Sequence, residues 1–177
     1  MKPLSYLPLL LTAASLSLVA GSSSAGEAGA GAGLQALGNT SIARYELLYR
    51  PALPYTTRFG KGRYVTSAIE ISLGMVHEPD ANDATLGEVA VIPELVLHFH
   101  PCLEFLAGLG FGLMSNEGKF TKHDLGGPFF FASKVGLRLP VSSSWGVELI
   151  YYHQSNGGLY EHNASLNMPS AGLYFSL

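Results

Sequence analysis

The chain has a single cysteine, Cys102, in 177 residues. That excludes an internal disulfide framework and any paired-cysteine metal or redox motif. No cysteine stands near the start to carry a lipid anchor. Charge is scarce as well. Lys and Arg number 10 and Asp and Glu 13, which makes 13% of the residues, about half of the ~25% of an ordinary soluble domain. With no basic excess there is nothing to neutralise a phosphate backbone, so nucleic-acid binding is excluded. An apolar content of 47% excludes a disordered chain. Beyond the first 20 residues no apolar run approaches the ~18 of a spanning helix.

The one long apolar stretch reads as an export signal. Lys2 supplies the positive end, Leu7 to Ala20 the apolar stretch, and Ser23-Ser24-Ala25 the small residues of a cleavage site. Residues 1–25 are therefore expected to be a signal peptide, cut after Ala25. An exported chain without a spanning helix can still cross a membrane as a closed β-barrel.

What is abundant points the same way. Glycine (21), tyrosine (9) and phenylalanine (9) suit an all-β chain with frequent turns and aromatic packing. Residues 26–40 are small and low in complexity, with room for a weak first strand near 33–37. From residue 41 to 177 the pattern has period 2, the signature of strands with two different faces. Tyr45, Leu47 and Tyr49 alternate with Arg44, Glu46 and Leu48. Ile69, Ile71, Leu73 and Met75 alternate with Glu70, Ser72 and Gly74. Val147, Leu149 and Tyr151 alternate with Gly146, Glu148 and Ile150. The stretch 86–100 is apolar on both faces and carries Pro93, which suits a bulge better than a central ladder position. The expected strands lie near 33–37, 41–50, 63–77, 86–100, 102–115, 129–141, 145–155 and 165–177. The fold class is thus all-β, an eight-stranded antiparallel transmembrane β-barrel.

The outward face is assigned from charge. A soluble barrel turns its apolar face inward, and a membrane barrel turns it to lipid. Too few charges are present to clothe a soluble surface. The less apolar face mixes glycine with Glu46, Glu70, Glu104, Lys134, Arg138 and Glu148, as a small lumen of paired charges would. Long connections at 78–85, 116–128 and 156–164 then face away from the cell, and short ones near Pro101 and at 142–144 face inward. The long 51–62 connection breaks this rule. A soluble periplasmic barrel with an apolar cavity, lined by Trp145 and Tyr151, is the competing architecture.

The stretch Tyr151-Tyr152-His153-Gln154-Ser155-Asn156-Gly157-Gly158 carries the chemistry. His153 and Ser155, two apart on one strand, leave by the same face, and parity with Leu149 and Tyr151 makes that the outer one. Polar groups aimed at lipid are costly unless paired or used. One reading is an interfacial His–Ser hydrogen bond at the barrel rim. The other is a serine nucleophile with a histidine base. By the parity of the last strand, Asn167 shares this face and could accept from the ring N–H. Glycines after Ser155 allow backbone N–H groups to converge on a carbonyl.

The segment His153-x-Ser155-Asn156-x-Gly158-Leu159, followed by Asn163 and Leu166-Asn167, resembles the PagL-type lipid A 3-O-deacylases, and the strand spacing is similar more weakly along the mature chain. The resemblance implies an outer-membrane esterase that removes the 3-O-linked acyl chain of lipid A at the outer wall of its barrel, without a cofactor. Its partner would be lipid A or lipopolysaccharide in the outer leaflet. It implies His153 as base, Ser155 as nucleophile, Asn156 and Gly158 as oxyanion donors, and Asn163 as a further motif residue. Family members carry a Glu as third residue where this chain has Asn167. An amide can orient an imidazole but stabilises its cation less than a carboxylate does. Asn167 and the nearby Glu161 are the two candidates for that role. A non-catalytic structural or adhesive barrel that keeps the deacylase fold is the alternative.

Two other groupings are set aside. His98 and His100 share a face but have no third ligand, and read as interfacial polar residues. Glu70, Glu104 and Glu148 read as partners of Lys134, Arg138 and Arg44 rather than as catalytic acids.

Overall fold

The computed structural model describes residues 26–37, 40–60, 62–79, 84–116, 118–120 and 123–177. The expected signal peptide, 1–25, lies outside them. The described chain forms β1 (Glu27–Leu37), β2 (Thr40–Arg50), β3 (Ala52–Arg58), β4 (Tyr64–Glu78), β5 (Ala84–His100), β6 (Leu103–Met114), β7 (Phe129–Pro140), β8 (Trp145–Ser155) and β9 (Leu166–Ser176). Every pairing is antiparallel: β1 pairs with β2, each of β4 to β8 pairs with the next strand, and β1 pairs with β9 across the chain ends. Both β2 and β3 pair with β4: Ala43–Tyr49 lie along Ile71–His77, and Ala52–Arg58 along Tyr64–Ala68. They are two halves of one stave, interrupted at Pro51, which has no N–H to give to a ladder. The nine segments therefore close an eight-stranded barrel.

This corrects three expectations. The 51–62 segment is not a long inner connection: the strand resumes after Pro51 and runs to Arg58, and β4 begins at Tyr64. The first strand is not a weak 33–37 but a full eleven residues. Its alternation is of Ala against Gly, with almost no hydropathy amplitude. The glycines face inward because a larger residue would not fit: a Cβ on Gly29 would stand 2.9 Å from the Leu48 side chain, and one on Gly31 3.1 Å from Glu46. Pro93 makes no bulge. It points out of the barrel in unbroken register opposite Ile69, and the shift in β5 comes later, between His98 and His100.

The two faces are the inverse of a soluble barrel's. Outward residues Leu73, Leu95, Leu109 (70% exposed), Phe111, Leu149 and Phe175 stand clear of the protein, an apolar band that belongs in hydrocarbon. Arg44, Arg50, Lys134 and Arg138 are buried inside. Arg50 lies 2.7 Å from Glu70, 2.8 Å from Glu94 and 2.6 Å from Glu148. Lys134 lies 2.6 Å from Glu70, and Arg138 lies 2.7 Å from Glu27 and 3.0 Å from Glu148. Glu104 is shared between Arg138 (3.5 Å) and His98 (2.7 Å). These carboxylates are thus structural counter-ions to Lys134 and Arg138, as expected, but Arg44 pairs instead with Glu46 and Glu88, and Arg50 is the unforeseen centre of the cluster. Trp145 and Tyr151 line no interior cavity; both point outward and are exposed. No helix among the described residues is long and apolar enough to cross a membrane.

The loop end of the lumen is closed by apolar side chains. Ile42, Ile92, Met114, Phe130, Tyr152 and Met168 form a buried cluster, into which Phe120 and Leu125 of the 115–128 loop descend. That loop is tied to the 156–165 loop. Ala164 N–H donates to Asp124 O (2.9 Å), and Phe129 N–H donates to the Tyr160 hydroxyl (3.3 Å). Gly126 sits at the contact with φ +85°, where an added Cβ would meet the His162 carbonyl oxygen at 1.8 Å. Gly126→Ala is expected to cost about 1–3 kcal/mol of loop order, from backbone strain plus a clash with a backbone atom. The measurement is limited proteolysis of the reconstituted barrel. Faster cutting within 115–128 and 156–165, with the strands intact, is the expected pattern.

Candidate active site

The site forms where β8 and β9 reach the loop end. Period-2 alternation along β8 buries Gly146, Glu148, Ile150, Tyr152 and Gln154 and turns Val147, Leu149, Tyr151, His153 and Ser155 outward. His153 stands directly opposite Asn167 in the β8–β9 ladder, and Ser155 opposite Phe131 in the β7–β8 ladder. Cross-strand neighbours are the closest side chains in a sheet, and here they meet: His153 Nδ1 and Asn167 Oδ1 are 2.8 Å apart. An amide oxygen only accepts, so Nδ1 is the donor in this contact. His153 and Ser155 share the outer face without a hydrogen bond between them, and the Ser155 hydroxyl has no partner among the described residues.

Asn167 is held from three sides. Its Nδ2 donates to Ser165 Oγ (3.0 Å) and lies 3.5 Å from Ser165 O. Its Oδ1 also accepts from the Tyr151 hydroxyl (3.4 Å). Its backbone N–H donates to Gln35 Oε1 (2.5 Å). The β1–β9 ladder ends at Gly33 and Ser170, so the Gln35 side chain supplies the bond that a longer β1 ladder would have given. Sequence reasoning missed Gln35 and Ser165. The parity that found Asn167 marks only faces, and these two act on its backbone and its amide head. Glu161 is exposed in the 156–165 loop, with no contact to His153 among the described residues.

Asn156 and Gly158 shape the turn that follows Ser155. Asn156 is buried. Its Nδ2 donates to Leu125 O (2.7 Å) and His162 O (2.6 Å), and its Oδ1 accepts from Gly158 N–H (2.8 Å). Asn163 Oδ1 accepts from Asn156 N–H (3.1 Å). The Asn156 amide is thus engaged by carbonyls of two loops, and the Gly158 N–H by Asn156 itself. The N–H of Gly157 makes no hydrogen bond among the described residues. Gly157 and Gly158 have φ of +65° and +82°, a left-handed pair that glycine adopts at little cost.

Below the site the outer wall holds a shallow groove of about 470 Å³, lined by Leu34, Ala43, Tyr45, Leu149, Pro169 and Ala171. It begins at Pro169, the next outward position below Asn167 on β9. At the opposite rim, His98 stacks on Tyr64 and lies 2.8 Å from Thr66 and 2.7 Å from Glu104. His100 Nδ1 lies 3.0 Å from Cys102 Sγ. Both histidines have neighbours of their own, and no group of three metal-ligating side chains occurs among the described residues.

No curated protein matches the chain by sequence. Among solved structures, the barrel is similar to that of the outer membrane enzyme PagL, with a TM-score of 0.68 at 19% identity over 85% of this chain and 98% of that one. It is also similar to Neisserial surface protein A, with a TM-score of 0.55 at 13% identity over 86% and 96%. A de novo designed transmembrane β-barrel gives 0.51 at 11% identity over 89% and 98%. At these identities the likeness concerns the fold. The sequence itself matches the family model for lipid A 3-O-deacylase (PagL) over residues 30–176, which takes in every strand but the first residues of β1 and all of the His153–Asn167 segment, and the chain belongs to that family.

Proposed function

We propose that the protein is an outer-membrane esterase that removes the 3-O-linked acyl chain of lipid A. The observation that carries this reading is the 2.8 Å contact of His153 Nδ1 with Asn167 Oδ1, on the outer wall that also bears Ser155. A buried base would wait for a soluble substrate. One mounted on the outside of a membrane barrel meets lipid. Lipid A arrives by lateral diffusion, with its ester at the outer-leaflet boundary and its acyl chain lying down the wall towards the groove at Pro169 and Leu34.

His153 Nε2 takes the Ser155 proton as Oγ attacks the ester carbonyl. The imidazolium, held by Asn167, then protonates the sugar 3-oxygen as its bond to the acyl carbon breaks, and the sugar leaves with a free 3-hydroxyl. Water, deprotonated by the same Nε2, attacks the acyl-enzyme and frees the 3-hydroxy fatty acid. The developing oxyanion is met by backbone N–H groups of the Ser155–Gly158 turn. Gly157 N–H is free for this, and Gly158 N–H joins when it leaves Asn156 Oδ1. Asn156 then serves as the frame of the turn, pinned to Leu125 and His162. No step calls for a cofactor.

The test is expression in a Gram-negative host that lacks any 3-O-deacylase, followed by mass spectrometry of its lipid A. Loss of one 3-hydroxyacyl group is expected, and unchanged lipid A defeats the proposal. One observation favours a second reading, a barrel that keeps the fold without the reaction: the Asn156 amide and Gly158 N–H are already engaged. A lipophilic fluorophosphonate separates the two. It labels Ser155 in the wild type and not in His153→Ala if the pair is active, and labels neither if it is not.

Asn167→Asp bears on rate. A hydrogen bond to a charged acceptor is worth about 1 kcal/mol more than one to a neutral acceptor. That gain is realised when the ring becomes a cation, so kcat is expected to rise about fivefold, read as initial rates of fatty-acid release from purified lipid A. A fall in rate would mean that the amide does more than orient.

A further inference from the structure

A second hydroxyl–imidazole pair stands at the end of the barrel away from Ser155. Thr66, His98 and Glu104 come from three consecutive strands, β4, β5 and β6. They share the inward face with the buried Glu70, Val96 and Leu106, so they stand at the mouth of the lumen rather than against lipid. The ladders set His98 beside Tyr64 on one flank and Glu104 on the other.

The contacts are directional. His98 Nδ1 lies 2.7 Å from Glu104 Oε1, and His98 Nε2 lies 2.8 Å from Thr66 Oγ1. A carboxylate only accepts, so Nδ1 is the donor to Glu104. In the neutral ring the lone pair is then at Nε2, and the Thr66 hydroxyl is its donor. Tyr64 stacks on the imidazole with centroids 4.2 Å and planes 9° apart, which fixes the ring in plane as well as in direction. A hydroxyl on the base and a carboxylate behind it are the relations of a hydrolytic triad, which is recognised by geometry and not by chain order.

Thr66 also opens on space. A cavity of about 520 Å³ is lined by Thr56, Arg58, Arg63, Tyr64 and Thr66, a size that suits a small molecule. Thr56 stands opposite Thr66 in the β3–β4 ladder and Arg58 opposite Tyr64. Arg58 is therefore the diagonal neighbour of Thr66, within reach for a long side chain. Neither the Arg58 nor the Arg63 guanidinium has a hydrogen-bond or ion-pair partner among the described residues. Arg44, Arg50 and Arg138 are all paired with glutamates. Two unpaired guanidiniums around a cavity favour a negatively charged occupant.

We propose that Thr66, His98 and Glu104 form a second hydrolytic centre, which takes small water-soluble carboxylic esters bearing an anionic group. It is independent of the lipid A reading. Thr66 Oγ bonds to the acyl carbon as His98 Nε2 takes its proton, and Arg58 meets the oxyanion. The carbonyl re-forms, the alkoxide leaves and receives that proton from Nε2. Water then gives a proton to Nε2 and attacks the threonyl ester, and Oγ recovers the proton as the acid departs. Arg63 holds the anionic end of the substrate.

The experiment uses the full-length folded barrel in detergent with Ser155→Ala as the parent, so that the outer-wall hydroxyl is absent throughout. The probe is mono(4-nitrophenyl) succinate, read as nitrophenolate release. Hydrolysis above the buffer rate is expected. Thr66→Val deletes the hydroxyl at nearly constant volume and is expected to lower the enzymatic rate about a hundredfold or more, while Thr66→Ser retains it. His98→Gln is expected to cost about a hundredfold, the share of a general base. Arg63→Gln raises KM for the succinate ester more than for neutral 4-nitrophenyl acetate. A parent rate no higher than buffer overturns the proposal. So does a parent-like rate in Thr66→Val or, if that variant does not fold, in His98→Gln. Either result leaves the lipid A reading untouched, because Ser155 takes no part in it.

Discussion

Ser155→Ala is expected to abolish release of the 3-hydroxy fatty acid from lipid A while the barrel folds and inserts as before. The two halves of this expectation have separate causes. The hydroxyl has no hydrogen-bond partner among the described residues and stands at the last residue of β8, so its removal strands no buried donor or acceptor and costs little stability. In the reaction it is the atom that forms the new bond. Removal of the nucleophile of a serine–histidine site lowers kcat by about 10⁴-fold or more, and what remains comes from binding and oxyanion contacts. Lipid A mass spectra and the released acid, measured at equal amounts of folded barrel, give the answer. Retention of more than about a hundredth of the wild-type rate would remove Ser155 from the mechanism.

The second large effect concerns the lumen. Arg50 is 2% exposed and lies within 2.6–2.8 Å of Glu70, Glu94 and Glu148. Removal of one member of a buried ionic cluster leaves its partners charged and uncompensated, which costs about 3–5 kcal/mol. Arg50→Met keeps the apolar stem and deletes the charge, so the loss is electrostatic rather than a cavity. Denaturant unfolding in lipid vesicles is expected to show a destabilisation of that size. The double variant Arg50→Met with Glu94→Gln should recover part of it, because one orphaned carboxylate has been neutralised. A single variant as stable as the wild type would mean that water, rather than Arg50, satisfies these carboxylates. The Ser155 and Arg50 effects are expected to be independent, since one group lies on the outer wall and the other in the lumen.

The sequence displayed most of this barrel because a strand with two solvents writes period 2 into its residues. The staves β4, β6, β7, β8 and β9 were legible to within a few residues for that reason. β1 was not, since its Gly-Ala alternation follows lumen space rather than polarity. Pro51 hid the continuity of β2 and β3, because a proline ends a ladder bond without ending the strand. Pro93 misled in the opposite direction: on a barrel wall it can face outward and leave the register intact. At the site, parity placed His153, Ser155 and Asn167 on one face, and the ladder made two of them direct neighbours. The hydrogen bonds that hold Asn167 were illegible. Gln35 lies 132 positions away in the chain, and Ser165 acts at a strand end where the alternation has just begun. The turn after Ser155 was read as glycine-rich and permissive, yet the burial of Asn156 under two loops depends on carbonyls of residues 125 and 162 that no spacing rule connects.

The ion-paired lumen capped by Phe120 and Leu125 has a consequence for traffic. A barrel of eight staves packed with arginine–glutamate pairs in its middle and with hydrocarbon at its loop end offers solutes no conduit. In the esterase reaction proposed above, lipid A would come to His153 sideways, within the plane of the bilayer, and the freed acyl chain would depart by the same two-dimensional route, into the leaflet it came from.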